Sequence, residues 1–287
     1  MMMTNNQNKK YDLVICYRIY PNVSKVPPIF SENKLKLAEL CLASFKNALN
    51  SIAFKLFVLL DSCPHSYSEL FQKYFAEDEL ELITLQNAGN PGSFGKQTEV
   101  LLNQNLAEIV YFAEDDYFYL PNAFEKMINA FSKNPNFHFL SPYNHPDYKN
   151  LLLHNYNSDK IEIDTITWKT VSTTTMTFMT TKTILKDTLG TFLTYTRKNN
   201  DNSIWLALTK KQIFNPYLYF HYLIKNKTLF KALIKIWIYS PFQATFGKTY
   251  KLWVPNQTLA THMESNYLAD DENWEYWFNL FRKKHNI

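Results

Sequence analysis

Short apolar runs alternate with amphipathic stretches through the first half of the chain. Residues 11–17 and 54–60 are apolar and rich in β-forming side chains, whereas residues 31–50 carry apolar positions at helical spacing. Further runs of the two kinds predict strands at 80–85 and 109–113 and helices at 66–75, 96–105 and 121–132. Because parallel strands need crossovers and both sheet faces must be buried, this alternation predicts an α/β fold, a Rossmann-like, mostly parallel sheet with helices on both faces.

The pattern of apolar and polar residues changes in the second half of the chain. Strands are predicted at 137–140, 160–168 and 171–180, with helices at 181–189 and 203–211. No repeat or linker separates the two halves, so we expect these strands to extend the same sheet. The basic and aromatic segment at residues 210–251 is predicted to be a helical insertion in this C-terminal extension.

The composition is that of a globular protein that folds by itself. Of the residues, 46% are hydrophobic and only 5 are glycine, which excludes collagenous, linker-like and disordered classes. Cys16, Cys41 and Cys63 are too widely spaced for a disulfide framework or a zinc site, and they indicate a reducing compartment. Residues 1–10 form a polar tail without an apolar signal core, and no stretch approaches the roughly 18 apolar residues of a membrane span. We therefore expect a cytoplasmic protein.

The positive charge is concentrated in one part of the chain. The net charge is only +4, but residues 202–263 contain no Asp or Glu and eight lysines. Between 217 and 251 these lysines alternate with aromatic side chains, which is typical of an interfacial helix on an anionic bilayer. A solvated basic face over an aromatic core is an equal alternative. No nucleic-acid recognition motif accompanies the charge, so we expect no nucleic-acid partner.

Polar side chains follow three of the predicted strands. Arg18 and Asp61 follow the first two, and Glu114, Asp115 and Asp116 follow the fourth. Parallel sheets bind ligands at the carboxyl ends of their strands, so these side chains are expected to meet at one edge. Carboxylates two residues apart suit Mn²⁺ or Mg²⁺, which is completed by phosphate oxygens. The alternative is a solvated loop, or negative charge before the helix that starts near residue 121.

Three segments resemble the family-2-type GT-A glycosyltransferases. They are the strand end Asp61-Ser62, the segment Asn87-Ala-Gly-Asn-Pro-Gly-Ser-Phe-Gly-Lys96, and Tyr111-Phe-Ala-Glu-Asp-Asp-Tyr-Phe-Tyr-Leu-Pro121, whose acids match the family's Asp-x-Asp motif. The resemblance covers residues 11–132 and continues loosely to 263. It implies that 11–135 is the nucleotide-sugar-binding half of a GT-A domain and 136–287 the acceptor-binding half.

The resemblance also assigns roles to residues. It implies that Tyr17, Arg18 and Asp61 hold the nucleotide base and ribose, and that Asp116 is a metal ligand. The first acid of the motif is Glu114 where the family has Asp, which leaves open whether Glu114 or Asp115 binds the ribose or the metal.

Two further segments are candidates for the donor site. Residues 89–96 read as a glycine loop before a helix, where free N–H groups and the charge of Lys96 suit a diphosphate, although a plain turn fits almost as well. His262 resembles the late histidine that several GT-A families use as a further metal ligand, and an imidazole favours Mn²⁺ over Mg²⁺. A lone histidine is otherwise more often structural.

The base of an inverting transfer should be a carboxylate beside the acceptor hydroxyl. Asp201 is the candidate, because it precedes a helical run at a place where the family often carries an acid. The alternative is that Asp201 simply caps that helix. Asp187 and Glu264 are the reserves.

The expected activity is therefore a metal-dependent, hexosyltransferase-type glycosyl transfer in polysaccharide biosynthesis. The donor is a nucleoside-diphosphate sugar, with UDP-sugar as the expected form, and the acceptor is a hydroxyl of a glycan or lipid-linked glycan. The protein is expected to be cytoplasmic, with a peripheral membrane contact if the basic segment binds a bilayer. Two rivals stay open, which are a nucleotidyltransferase with a similar metal site and a non-catalytic module that binds a glycan or a membrane surface.

Overall fold

The computed structural model describes residues 11–23 and 26–287, so the polar tail predicted at 1–10 lies outside the described residues. The strands, in chain order, are β1 (Leu13–Ile19), β2 (Phe54–Asp61), β3 (Leu80–Leu85), β4 (Ile109–Glu114), β5 (Tyr117–Tyr119), β6 (Phe139–Leu140), β7 (Lys160–Ile163), β8 (Ile166–Val171), β9 (Phe178–Thr181), β10 (Leu252–Pro255) and β11 (Ala260–His262). The α-helices are α1 (Lys34–Leu49), α2 (His65–Tyr74), α3 (Gly89–Asn103), α4 (Ala123–Lys133), α5 (Asp147–Asn150), α6 (Lys182–Phe192), α7 (Asp201–Thr209), α8 (Pro216–Lys225), α9 (Lys227–Tyr239), α10 (Pro241–Thr245) and α11 (Trp274–His285).

One large sheet organises the molecule. Across the described residues it has nine strands in the order β3-β2-β1-β4-β9-β6-β10-β8-β7. The first four are mutually parallel, and β8 and β9 alone run against the common direction. The predicted α/β class with a mostly parallel sheet is confirmed, and the second half of the chain extends that sheet. A separate two-stranded sheet pairs β5 with β11.

Helices cover both faces of the large sheet, as predicted. On one face α1, α2, α4 and α11 pack around Phe45, whose ring meets Tyr17, Tyr119 and Phe124 edge-on. On the other face α3, α6 and α7 pack around Phe178 and Trp205. A buried phenylalanine contributes about 1.5–3 kcal/mol of transfer free energy, so these two aromatic layers stabilise the sheet and fix the positions of its strand ends.

The basic segment is a helical extension, as predicted. Helices α8, α9 and α10 pack against α7 through a small core of their own, in which Leu206 of α7 meets Leu218, Leu233 and Ile236. Asn226 joins α8 to α9, and its side chain caps α9. In the part of the chain that the structure describes, no helix combines the length and the apolar character needed to cross a bilayer.

Three predicted elements differ from the structure. The strand predicted at 160–168 is a hairpin, because Asp164 and Thr165 adopt positive φ and turn the chain between β7 and β8. The strand predicted at 171–180 is reduced to β9, with residues 172–177 as a connection. The helix predicted at 96–105 begins at Gly89, so the glycine-rich residues form its first turns.

Candidate active site

A cavity of about 460 Å³ opens where β1, β2 and β4 end. Its walls include Arg18 from β1, Asp61 from β2, the acids at 114–116 after β4, and Lys34 from α1. The convergence expected from the strand order is therefore present. It follows from the parallel pairing, in which Arg18 lies opposite Glu114 in the register of β1 and β4.

Glu114 is held by two partners. Its Oε1 accepts a hydrogen bond from Arg18 Nη2 at 2.5 Å, and its Oε2 accepts one from Thr177 Oγ1 at 2.8 Å. Arg18 also donates to the carbonyl oxygen of Asn90 at 3.2 Å, and its guanidinium lies over the Phe94 ring. Both carboxylate oxygens of Glu114 are therefore engaged, and the Arg18–Glu114 pair joins the ends of β1 and β4.

Asp115 is paired with a lysine that the sequence analysis did not identify. Lys34 Nζ lies 2.9 Å from Asp115 Oδ2, and the backbone N–H of Tyr20 donates to the same oxygen at 3.2 Å. Burial disfavours the lysine charge, but the carboxylates of Asp115 and Asp116 raise the pKa of Lys34 above its usual value. Lys34 is the first residue of α1, where the helix dipole disfavours a cation. A lysine at this position was the sequence signal that a carboxylate lies nearby.

Asp116 contacts His262, the other residue that the family resemblance names as a metal ligand. The pairing of β5 with β11 sets Tyr117 opposite His262 and brings His262 Nε2 to 3.1 Å from Asp116 Oδ2. Burial opposes ionisation of both groups, but their mutual attraction lowers the pKa of Asp116 and raises the pKa of His262. Glu264 Oε2 lies 3.7 Å from the other ring nitrogen of His262. This group is therefore a connected charged cluster.

One carboxylate oxygen of Asp116 has no partner within the fold. Asp116 Oδ1 is buried and has no hydrogen-bond partner, which is a costly state for a carboxylate oxygen unless a ligand completes it. Among the described residues no three His, Cys, Asp or Glu side chains are gathered as a metal-binding group. Two protein ligands are nevertheless enough when substrate phosphate oxygens complete the coordination, as is usual for Mg²⁺.

Asp61 anchors helix α3. Its two carboxylate oxygens accept hydrogen bonds from the backbone N–H groups of Ala88 at 3.0 Å and Gly89 at 2.8 Å. The expected glycine loop at 89–96 is therefore corrected to the start of a helix. Lys96 lies within that helix, pairs with Glu99 at 2.8 Å and does not line the cavity.

Tyr17 points away from the cavity. Its ring is buried among Phe45 and Phe71, at centroid distances of 5.3 and 5.4 Å. Side chains alternate along a strand, so Arg18 and Tyr17 must face opposite sides of the sheet. If Tyr17 contacts a nucleotide, as the sequence predicts, its backbone and not its ring must make that contact.

Asp201 lines a second cavity of about 110 Å³, together with His145 and residues 173–175. The N-cap of α7 is Asn200, whose side chain accepts from Ser203 N, so Asp201 is the first helical residue and not the N-cap. Asp201 Oδ1 nevertheless accepts a hydrogen bond from the backbone N–H of Asn202 at 2.8 Å, so it satisfies a further N–H of the first turn. Burial lowers the pKa of His145 to about 4, which keeps this imidazole neutral near pH 7.

The two cavities are linked through Tyr117. Its hydroxyl donates to Thr175 Oγ1 of the second cavity at 2.8 Å, and its ring lies 5.1 Å from the His262 ring. Of the reserve bases, Glu264 lies beside His262, whereas Asp187 is exposed on α6 and lines neither cavity.

No protein-family model and no curated protein matches the sequence. Among solved structures, residues 1–349 of S. aureus TarS align with a TM-score of 0.45 and 14% identity, over 82% of this chain and 81% of that one. The TarS complex with UDP aligns at the same score and identity over 68% of this chain and about half, 54%, of that one. The 4-diphosphocytidyl-2C-methyl-D-erythritol synthase of Anaerococcus prevotii aligns at 0.41 and 14% over 70% and 84%. Similarity at this level assigns no substrate to this chain.

Proposed function

We propose that this chain is a metal-dependent, inverting glycosyltransferase that moves a hexose from a UDP-sugar to a hydroxyl of a glycan or lipid-linked glycan. The observation that carries the proposal is the cavity at the strand ends, which is lined by Arg18, Asp61 and Asp116, with His262 bonded to Asp116, together with a second cavity that holds Asp201. In this proposal the first cavity takes the donor and the second takes the acceptor.

The charges around the donor cavity favour a divalent cation. Arg18 and Lys34 face four carboxylates, those of Asp61 and of the acids at 114–116, and protonated His262 is a third cation beside Asp116, which leaves a formal excess of one negative charge. A nucleoside diphosphate would be repelled by this excess. A bound Mn²⁺ or Mg²⁺ would supply countercharge to the leaving diphosphate, and Asp116 and His262 would hold it in place of their mutual hydrogen bond.

Asp201 has the position of an acceptor-side base. Its carboxylate lies at the first turn of α7, in a cavity with the hydroxyls of residues 173–175 and the neutral His145. As the general base, this carboxylate would accept the proton of the acceptor hydroxyl as the oxygen attacks the sugar carbon. The neighbouring hydroxyls and the imidazole orient a sugar ring by hydrogen bonds.

A panel of nucleotide-sugars tests this proposal. The protein is incubated with each donor, with and without Mn²⁺, and its melting temperature and nucleoside-diphosphate release are measured. We expect one donor to stabilise the fold in the presence of Mn²⁺, since a ligand at about 100 times its dissociation constant adds roughly 2.7 kcal/mol. The Asp116→Asn variant should lose this stabilisation, while the exposed Asp270→Asn variant, which removes the same charge, should keep it.

The same assay separates the rivals. Pyrophosphate release from a nucleoside triphosphate and a sugar phosphate would identify a nucleotidyltransferase and overturn the proposal. Failure of every donor to bind, with or without Mn²⁺, would leave only the role of a binding module.

A further inference from the structure

The outer surface of the helical extension is unusually apolar. Of the thirteen large hydrophobic side chains that are exposed among the described residues, nine lie within residues 210–251. Phe242 and Phe246 are 73% and 81% exposed, and their rings contact each other across one turn of α10. Exposed hydrophobic residues that serve no function are usually scattered singly over a surface. Their concentration in one segment therefore indicates an interaction surface.

The exposed residues follow helical spacing. On α8 they include Tyr217, Phe220 and Ile224, which share one side of the helix, while Leu218 and Tyr222 are buried on the other side. On α9 the exposed Ile238 lies four residues after Ile234, opposite the buried Leu229, Leu233 and Ile236. We call the outward side of α8, α9 and α10 the docking face.

The lysines of the docking face have no acidic partner. Lys225, Lys227 and Lys231 are exposed, and within residues 11–23 and 26–287 none of them forms an ion pair. Lys235 differs, because its ammonium donates to the carbonyl oxygen of Lys198 at 2.6 Å. The face therefore combines apolar side chains with uncompensated positive charge.

We propose that the docking face binds the surface of an anionic lipid bilayer. An occupant must bury aromatic and aliphatic side chains while supplying negative charge to the lysines beside them, and the boundary between acidic headgroups and acyl chains does both. Residues 202–263 contain no Asp or Glu, so the segment itself adds no negative charge that would repel such a surface.

The docking face is tied to the second cavity. Helix α9 packs on α7, and Leu229 of α9 lines the cavity that holds Asp201. Binding through the outward side of α9 therefore sets this cavity within one helix diameter of the bilayer. The inference does not depend on the proposed activity, because docking is a property of the surface alone.

Co-sedimentation of the full chain with vesicles tests the proposal. Phosphatidylcholine vesicles are compared with vesicles in which about one third of the lipid is phosphatidylglycerol, at low salt and at about 0.5 M salt. We expect binding to the anionic vesicles only, weakened by salt. Changing Lys225, Lys227 and Lys231 together to Gln should weaken binding about 100-fold, since each lysine near such a surface contributes roughly fivefold.

A matched variant removes the same charge elsewhere. Lys126, Lys160 and Lys283 are exposed on α4, β7 and α11, and their joint change to Gln should leave vesicle binding within about twofold of wild type. A second variant, Phe242→Ser with Phe246→Ser, should retain the fold and lose the part of the binding that survives high salt, because both rings are exposed.

Three results would overturn the proposal. They are wild-type protein that stays in the supernatant with anionic vesicles at low salt, equal binding by the two lysine triple variants, and self-association through the docking face instead of vesicle binding. The last is detected by sedimentation velocity as a dimer that the two Phe→Ser changes abolish.

Discussion

Neutralising either partner of the Arg18–Glu114 pair should destabilise the fold by about 3 kcal/mol, the lower end of the range for breaking a buried ion pair. Arg18 is 7% exposed and Glu114 22% exposed, so removing one charge leaves the other poorly solvated. Arg18→Met keeps the apolar stem against Phe94, and Glu114→Gln keeps an acceptor for Thr177. Each variant therefore tests the charge more than the shape.

The double variant is the informative one. When both charges are removed, neither is left buried alone, so Arg18→Met with Glu114→Gln should cost about 4 kcal/mol, well below the roughly 6 kcal/mol of the two singles together. The coupling of about 2 kcal/mol lies within the range for residues in direct contact. As a control, the Lys149–Asp270 pair is about half exposed at both ends, and its double-variant cycle should give less than about 1 kcal/mol.

Urea unfolding followed by near-UV and far-UV circular dichroism measures these differences, provided that the two probes give coincident transitions. Each single variant should also lower the melting temperature by roughly 6–12 °C, at about 2–4 °C per kcal/mol. If the two single losses add to within about 0.5 kcal/mol of the double loss, Arg18 and Glu114 are not coupled and their role in joining β1 and β4 is refuted.

Three further predictions concern the same site. Asp116→Ala should lower turnover by orders of magnitude with the fold intact, and full activity of wild type in excess chelator would contradict the metal role. Asp201→Asn should keep the melting temperature, since Asn200 is the cap, but should cut transfer about 10²- to 10⁴-fold; transfer within a few-fold of wild type would move the base to Glu264. Without added metal, His262→Gln should lower the free energy of unfolding more at about pH 5.5 than at about pH 9. The folded pKa of His262 is raised, so its contribution is full below the unfolded pKa and is lost as pH rises through the folded one; equal losses in urea titrations at both pH values would disprove this.

The position of the site was predictable because it depends on a general rule of parallel sheets. Arg18, Asp61 and Asp116 are far apart in sequence, but each follows a strand, and parallel strands present their carboxyl ends at one edge. The same alternation of side chains that sets Arg18 toward the cavity should have excluded the ring of Tyr17, which the sequence analysis placed at the nucleotide. The role of Tyr17 was taken from the family resemblance, and any contact with a nucleotide stays a prediction for its backbone.

The residues at the start of α3 do not by themselves predict where this helix begins. Local rules look for Ser, Thr, Asp or Asn immediately before a helix, but Ala88 stands there and glycine and proline follow it. The carboxylate that satisfies the first N–H groups belongs to Asp61, some 27 residues earlier in the chain. A cap supplied by tertiary structure leaves no local signal, so the helix was predicted to begin at residue 96.

The charge pairs at 114–116 show a second limit of sequence analysis. His262 was linked to Asp116 only by family resemblance, because the pairing of β5 with β11 brings together residues 146 positions apart. The position of Lys34 at the start of α1 is an unusual place for a cation, but no sequence pattern connects it to Asp115. Only the packing of α1 beside the end of β1 makes that contact.

Three adjacent carboxylates at a buried strand end would repel one another unless each had its own cation. Arg18, Lys34 and His262 come from β1, α1 and β11, and each neutralises one acid of the motif. This arrangement lets the acidic cluster exist in the folded chain before any ligand binds. It is unequal, however, because both oxygens of Glu114 are engaged while Oδ1 of Asp116 is buried without a partner. Asp116 is therefore the acid of the motif with a buried oxygen that the fold leaves unsatisfied, a cost that a bound ligand would remove.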